Sequence, residues 1–367
     1  MNIPLFKPYI GHEEMNAVSR VLKSKKLTRG QEVEGFEKEF ASYVGKKYAV
    51  AVNSGTSGLH VSVRALGWKQ GDEIITTPFS YIASSNALLY ENITPVFVDI
   101  DPNTLNIDVN KIEEKITAKT KGIMLVHVFG LPVDAAKIKS LKEKHNLTVL
   151  EDACEATGPA GTDFLVSHIG EASVYGFHEN KQMTTCGEGG MIVTDDIDIA
   201  EKCRSMRDQG RSMKKDWIKN VILGYNFRLT EVQAAVGREQ LKRLDSMLAK
   251  RELVANQYQN LLSSVDDLRT PLNPAYSKRS WFVYFVIFET TEMRDYVHKS
   301  LGEAGISSSV NYFPPIYYFP MYKDCNRGCN NTESISKLIL VLPMFYEMTD
   351  IDIVEVVNVI KSAISKR

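Results

Sequence analysis

The chain has no stretch near the roughly 20 consecutive apolar residues that a membrane span requires. Its opening, MNIPLFKPYIGHEEM, lacks the basic segment followed by an apolar one that marks a secretory signal. Neither sign of charge is in surplus. With 44 Lys and Arg against 45 Asp and Glu, the formal net charge is −1, so there is no electrostatic footprint for nucleic acid or an anionic membrane. Cysteine is scarce: Cys154, Cys186, Cys203, Cys325 and Cys329 form an odd, scattered set. Such a set reads as reduced thiols in a cytoplasmic protein, not as a disulfide framework. Cys325 and Cys329 lack a second Cys or His pair nearby, so no metal is expected. Internal repeats, low-complexity tracts and Pro-rich linkers are also missing.

What remains is an ordinary globular composition over 367 residues, 44% apolar and 24% charged. That length suits two domains with a substantial core. In the first half, short β-rich runs alternate with helical ones. Tyr48–Val52, Ile74–Phe79, Pro95–Asp99, Leu147–Leu150, Ser173–Phe177 and Gly190–Thr194 read as strands. The near-continuous apolar run Gly122–Val128 reads as a strand buried on both faces. Leu59–Leu66, Ser80–Tyr90 and Ala135–His145 read as helices, and Ile112–Ile116 sits in a short amphipathic stretch. Alternation of this kind predicts an α/β fold with a mainly parallel sheet covered on both sides. The charged segment Glu239–Leu262 reads as one long helix bridging two domains. Beyond it, Trp281–Phe288 is strand-like and Met293–Leu301 helical. Thr349 and Asp352 resemble a capping box that opens a final helix.

Three local patterns carry possible chemistry. The strand Ala49–Val52 runs into Asn53-Ser54-Gly55-Thr56-Ser57-Gly58 and then a helix. A helix start built from small residues suits an anion, because free N–H groups and the helix dipole favour negative charge there. The same residues also simply cap helices and make turns. No Walker-type Lys follows, which disfavours nucleotide triphosphate hydrolysis. The second pattern is Glu151-Asp152-Ala153-Cys154-Glu155, directly after a buried strand. Ligands of open α/β sheets sit at strand carboxyl ends, and a carboxylate there could face a protonated ring nitrogen of a cofactor. A solvated acidic helix start reads equally well. The third is Lys181, just past the strand Ser173–Phe177 and ahead of Gly187-Glu188-Gly189-Gly190. An amine on such a backbone can approach an aldehyde cofactor closely, although a lone Lys is most often a surface residue.

Together these patterns resemble the DegT/DnrJ/EryC1/StrS family of pyridoxal 5′-phosphate (PLP)-dependent sugar aminotransferases. LTRGQEVEGFEKEFASYVG, AVNSGTSGLHVSVRALG, GDEIITTPFSYIASSNALLY, TPVFVDID, HVFG, LEDACEATG, FHENKQMTTCGEGGMIVT and GYNFRLTEVQAAVG occur in family order over nearly the whole chain. The resemblance implies an aspartate-aminotransferase-like fold, fold type I. Its large PLP-binding domain, residues 1–245, would hold a mainly parallel seven-stranded sheet, with a smaller C-terminal α/β domain at 246–367. It implies a homodimer with shared sites, an amino-acid donor, L-glutamate by expectation, and a 3-keto or 4-keto nucleotide-linked sugar as acceptor.

Residue by residue, Lys181 matches the family's Schiff-base lysine and Asp152 the partner of the pyridine nitrogen. Glu155 falls where a side chain approaches the cofactor's phenolic oxygen, and Tyr81 where a ring stacks on the pyridine. Gly55, Thr56 and Ser57 match the phosphate turn. Asn226 matches a residue that reaches the phosphate from the other subunit, and Arg228 is a candidate for the same region. His178, Tyr312 and Tyr317 are candidate substrate contacts. Two departures stand out: Gly176 replaces a phosphate-binding Ser of some members, and Tyr317 stands where many have His. The segment Lys323–Thr332 reads either as a specificity loop or as ordinary surface. Two other readings are a sugar dehydratase of the same family, whose members place His at the lysine position, and a non-catalytic PLP-binding regulator.

Overall fold

A computed structural model of the protein describes residues 2–158, 166–212 and 219–366. Seven strands form the main sheet: β1 (Tyr48–Val52), β2 (Glu73–Thr76), β3 (Thr94–Phe97), β4 (Thr120–Val126), β5 (Thr148–Asp152), β6 (Ala172–Gly176) and β7 (Gly190–Thr194). Their order is β1-β7-β6-β5-β4-β2-β3, and only β7 runs antiparallel to its neighbours. This is the mainly parallel, seven-stranded α/β sheet expected from the sequence. Alternation of side chains along each strand feeds two cores. Val50, Val52 and Val174 face one side, under α3 (Gly55–Ala65), α4 (Ala83–Leu89) and α6 (Ile197–Arg207). Ala49, Ala51 and Tyr175 face the other, where Phe36 and Phe40 of α2 (Gln31–Tyr43) pack. Further along that face, Ile123, Leu125 and Val149 receive Ile138 of α5 (Ala135–His145). Helix α1 (His12–Ser24) lies on α7 (Glu231–Lys242), with Ala17, Val21 and Ala235 in contact.

The long helix expected over Glu239–Leu262 is two helices. Backbone φ −109° and ψ 3° at Arg243 separate α7 from α8 (Leu244–Leu262). The guanidinium of Arg243 is held by the buried Glu14 at 2.6 Å, a contact from α1 that fixes the break. Strand β2 ends earlier than expected, at Thr76, short of Pro78, which cannot donate to a ladder.

Helix α8 then delivers Val254, Ala255 and Tyr258 into a further, separate core. There β8 (Leu268–Arg269), β9 (Tyr284–Phe288) and β10 (Ile339–Leu342) form an antiparallel sheet. It is backed by α9 (Thr291–Glu303), α10 (Asn330–Leu338) and α11 (Asp350–Ser365), the last opened by the Thr349–Asp352 capping box. The start of the chain joins this unit: Ile3 is buried in its core and bridges Ile306. Among the described residues no helix is long and apolar enough to cross a membrane, and no group of three metal-ligating side chains converges.

Candidate active site

The carboxyl ends of β1, β5 and β6 open into a cavity of about 630 Å³, closed on the far side by Phe282, Val310 and Tyr312 of the C-terminal unit. Ser54 caps α3 in extended conformation, and its Oγ accepts the N–H of Ser57 at 3.1 Å. The N–H groups of Gly55 and Thr56, at the positive end of the helix, have no partner among the described residues. Two glycines let the backbone come this close. A Cβ on Gly55 would lie 2.7 Å from Cys154 Sγ, and one on Gly190 would lie 2.6 Å from the Ser54 carbonyl oxygen. Gly55 and Thr56 line the cavity. The Ser57 side chain does not: it is buried and donates to Asn53 Oδ1 at 2.6 Å.

Strand parity separates the two neighbouring carboxylates. Glu151 turns into the sealed face, where His127 Nε2 lies 2.9 Å away and the N–H groups of Ser167, Ile169 and Gly170 also donate. The Val133 N–H donates to His127 Nδ1, so the imidazole's Nε2 carries the proton that faces Glu151. Burial opposes ionisation of Glu151, but these donors outweigh it and bring its pKa to about 2. Asp152 turns to the cavity. Ser84 Oγ donates to its Oδ2 at 2.6 Å, and the Cys154 N–H donates to Oδ1 at 3.1 Å. Burial and the adjacent Asp152 push the Cys154 thiol well above its ordinary range, so it stays protonated.

Lys181 follows a turn closed by its N–H on the His178 carbonyl. Its Nζ sits 3.8 Å from the centre of the Phe282 ring and 3.6 Å from Glu155 Oε1. Glu155 accepts from the Phe129 N–H at 2.9 Å through Oε2 and from the Tyr312 hydroxyl through Oε1. Burial, reinforced by Glu155, holds the Tyr312 phenol protonated. His178 and the largely exposed Tyr81 complete the mouth. His178 Nδ1 pairs with Asn180 Oδ1 at 2.9 Å.

The structure thus brings together Gly55, Thr56, Tyr81, Asp152, Glu155, His178, Lys181 and Tyr312. Besides Ser57, three candidates lie outside this cavity. Tyr317 is a core residue: it packs on Phe97 and donates to Glu333 Oε1 at 2.8 Å. Arg228 is paired with Asp208 beside a separate cavity of about 150 Å³. Asn226 is exposed, its backbone bridged to Asp208. The segment Lys323–Thr332 staples the sheet edge. Asn326 accepts the Phe97 N–H and donates to its carbonyl, like one residue of an extra strand. Ser84, Phe282 and Asn180 were not singled out from the sequence. Nothing in the pattern of α4 distinguishes Ser84 from Ser85, whereas Phe282, inside the strand-like run Trp281–Phe288 and just ahead of the observed β9, could have been suspected.

The sequence profile of the DegT/DnrJ/EryC1/StrS aminotransferase family matches residues 8–361. A GDP-perosamine synthase of Caulobacter vibrioides is 40% identical over 299 residues, covering 80% of this chain and 79% of that protein. Among solved structures, PseC of Helicobacter pylori, an aminotransferase of pseudoaminic acid biosynthesis, is similar with a TM-score of 0.93 at 30% identity over 100% of both chains. The GDP-4-keto-6-deoxy-D-mannose-3-dehydratase of E. coli, solved with hydrated PLP, is similar with a TM-score of 0.91 at 28% identity, covering 98% of this chain and 99% of that one.

Proposed function

We propose, from the premise that this chain belongs to the DegT/DnrJ/EryC1/StrS aminotransferase family, that it moves an amino group from an amino acid to a 3-keto or 4-keto sugar carried on a nucleotide. L-Glutamate is the expected donor. PLP is the cofactor, and the observation that carries the reading is the meeting of Lys181, Asp152 and the α3 N-terminus in one cavity. The residues fit that group. The unpaired N–H groups of Gly55 and Thr56 offer a phosphate site, in a cradle that a Cβ at Gly55 or Gly190 would fill. Asp152 accepts one hydrogen bond on each oxygen, which leaves lone pairs for a protonated ring nitrogen.

When bound, the cofactor supplies an aldehyde for an amine and a protonated ring that draws electrons from the carbon undergoing transfer. The chain's own residues do the rest. Lys181 would hold the cofactor and, once released, carry the proton to and from the reacting carbon. Asp152 would keep the ring nitrogen protonated, and Glu155 would face the phenolic oxygen. Tyr81 would cover the ring, an offset stack worth about 0.5–1.5 kcal/mol. Ser57 would contribute no hydroxyl, because its side chain is committed to Asn53. His178 and Tyr312 would meet the substrate. Asn226, and Arg228 beside it, would serve the phosphate region of a second copy in a homodimer.

Donor and acceptor would use the site in turn, which predicts ping-pong kinetics. Adding PLP to the purified protein should give a visible absorption band that borohydride bleaches while fixing the cofactor on Lys181. Fixation on another lysine, or no band, would overturn the assignment. A dehydratase shares this fold, but Lys181 stands where dehydratases of the family place His, which favours amino transfer. Glutamate-dependent amination across a panel of keto sugar nucleotides separates this reading from both a dehydratase and a regulator.

A further inference from the structure

We propose that Tyr312 is a positioning residue that acts through Glu155, holding its carboxylate beyond hydrogen-bonding distance of Lys181. Two opposite charges share this buried corner. Glu155 and Lys181 are both largely buried, and Oε1 stands 3.6 Å from Nζ. That is beyond the 2.7–2.9 Å or so of a charge-assisted hydrogen bond. Attraction at low dielectric should close such a gap unless other contacts hold the carboxylate. Here both of its oxygens are engaged. The backbone N–H of Phe129 holds Oε2 at 2.9 Å, and the Tyr312 hydroxyl donates to Oε1, the oxygen nearer Lys181. Two further groups beside the pair do not supply that donor. Asp152 is an acceptor, its Oδ2 already taken by Ser84, and the Phe282 ring offers Nζ only its face.

Tyr312 is built for a fixed position. Its backbone adopts φ +61°, a left-handed conformation that is costly for a bulky residue. Its ring stacks on Phe129 at 5.2 Å and 13°, and meets Phe79 edge-on at 5.2 Å. The segment carrying it is bonded to β10 through Ser309 and Val341. The hydroxyl is therefore delivered to Glu155 by the C-terminal unit, while Lys181 and Glu155 belong to the large one. The consequence is an amine that faces Glu155 at 3.6 Å without a charge-assisted hydrogen bond to it, and so stays available to an aldehyde.

The inference rests on Lys181 being the reactive amine, and it is tested without the cofactor. Full-length, cofactor-free protein is acetylated with acetic anhydride at one fixed pH, and Lys181 is followed by mass spectrometry against the exposed Lys139. In Y312F the ring packing stays while Oε1 loses its donor, so Glu155 should close on Nζ. Lys181 should then acetylate about tenfold more slowly, the factor given by one charge-assisted contact. E155Q alone should acetylate at or above the wild-type rate. The double variant E155Q/Y312F should match E155Q, because no carboxylate remains to trap the amine. A wild-type rate in Y312F, a slowed E155Q, or a double variant as slow as Y312F would each overturn the proposal. Failure of the aminotransferase reading would appear separately, as a missing absorption band with PLP.

Discussion

Glu151 ends in a closed nest of donors and Asp152 at the cavity because one residue of strand β5 turns a side chain to the opposite face. The nest makes Glu151 a stability element with a defined pH signature. Its carboxyl titrates near 4.5 when free and about 2 in the fold. A depressed pKa stabilises fully above the unfolded value and is lost as pH falls from about 4.5 towards 2. The difference corresponds to about 3 kcal/mol. E151Q should therefore lose stability of that order at pH 7, and its unfolding free energy should fall less steeply than the wild type's between pH 5 and 3. Parallel pH slopes in denaturant melts would refute this. Asp152 depends on Ser84 instead. S84A should leave the fold intact and weaken PLP binding roughly fivefold, the loss of about one buried hydrogen bond; an unchanged affinity in an absorbance titration would count against it. From the sequence, the acidic run was visible as a site candidate, but which carboxylate faced which way depends on sheet packing above and below β5. Tyr317 was misplaced for a related reason: a Tyr in a loop gives no sign that Phe97 and Glu333 enclose it.

Where two elements meet backbone to backbone, a single methyl group is enough to part them. The first residue of β7, Gly190, lies against the Ser54–Gly55 turn that starts α3, with the nearest carbonyl oxygen 2.6 Å from where a Cβ would stand. G190A must push the turn away or distort the strand, at an overpacking cost of about 1–3 kcal/mol. We expect PLP affinity to fall at least about tenfold, since 1.4 kcal/mol spent in the phosphate turn is that factor, with a lowered melting temperature and unchanged far-ultraviolet dichroism. Full affinity in the variant would show that the turn does not hold the phosphate. Elements of this kind were legible when their ends carry punctuation. β1, β7 and α5 have the bounds read from sequence, set by Asn53, Gly190 and the αL residue Asn146. The break at Arg243 was not legible, because a charged run looks helical throughout and the interruption comes from Glu14, some 230 positions away. The role of Lys323–Thr332 was hidden in the same manner, since one Asn imitating a strand leaves no periodic trace.

At the scale of the whole molecule, two of the residues proposed for the cofactor's phosphate region, Asn226 and Arg228, lie outside the cavity formed by their own chain. Close to them in sequence, Val221, Ile222 and Leu223 expose 61%, 40% and 74% of their surface, an apolar run that a solvated loop has little reason to carry. A two-fold pair of chains would cover that run and bring each Asn226 to the other's phosphate turn. This arrangement makes a prediction that no single-chain site can satisfy. On the proposed roles, K181A would remove the cofactor's attachment in its own cavity, and N226A would damage only the cavity of its partner. Each variant alone should lose most activity. Unfolding, mixing and refolding the two in equal amounts should give hybrids in half of the dimers. In each hybrid both lesions fall in one site, and the other site is entirely wild type. Activity should therefore return to about a quarter of the wild-type value, the statistical share of intact sites in a two-fold dimer. If mixing restores nothing although the hybrids form, Asn226 serves its own chain or no site at all, and the shared-site dimer fails.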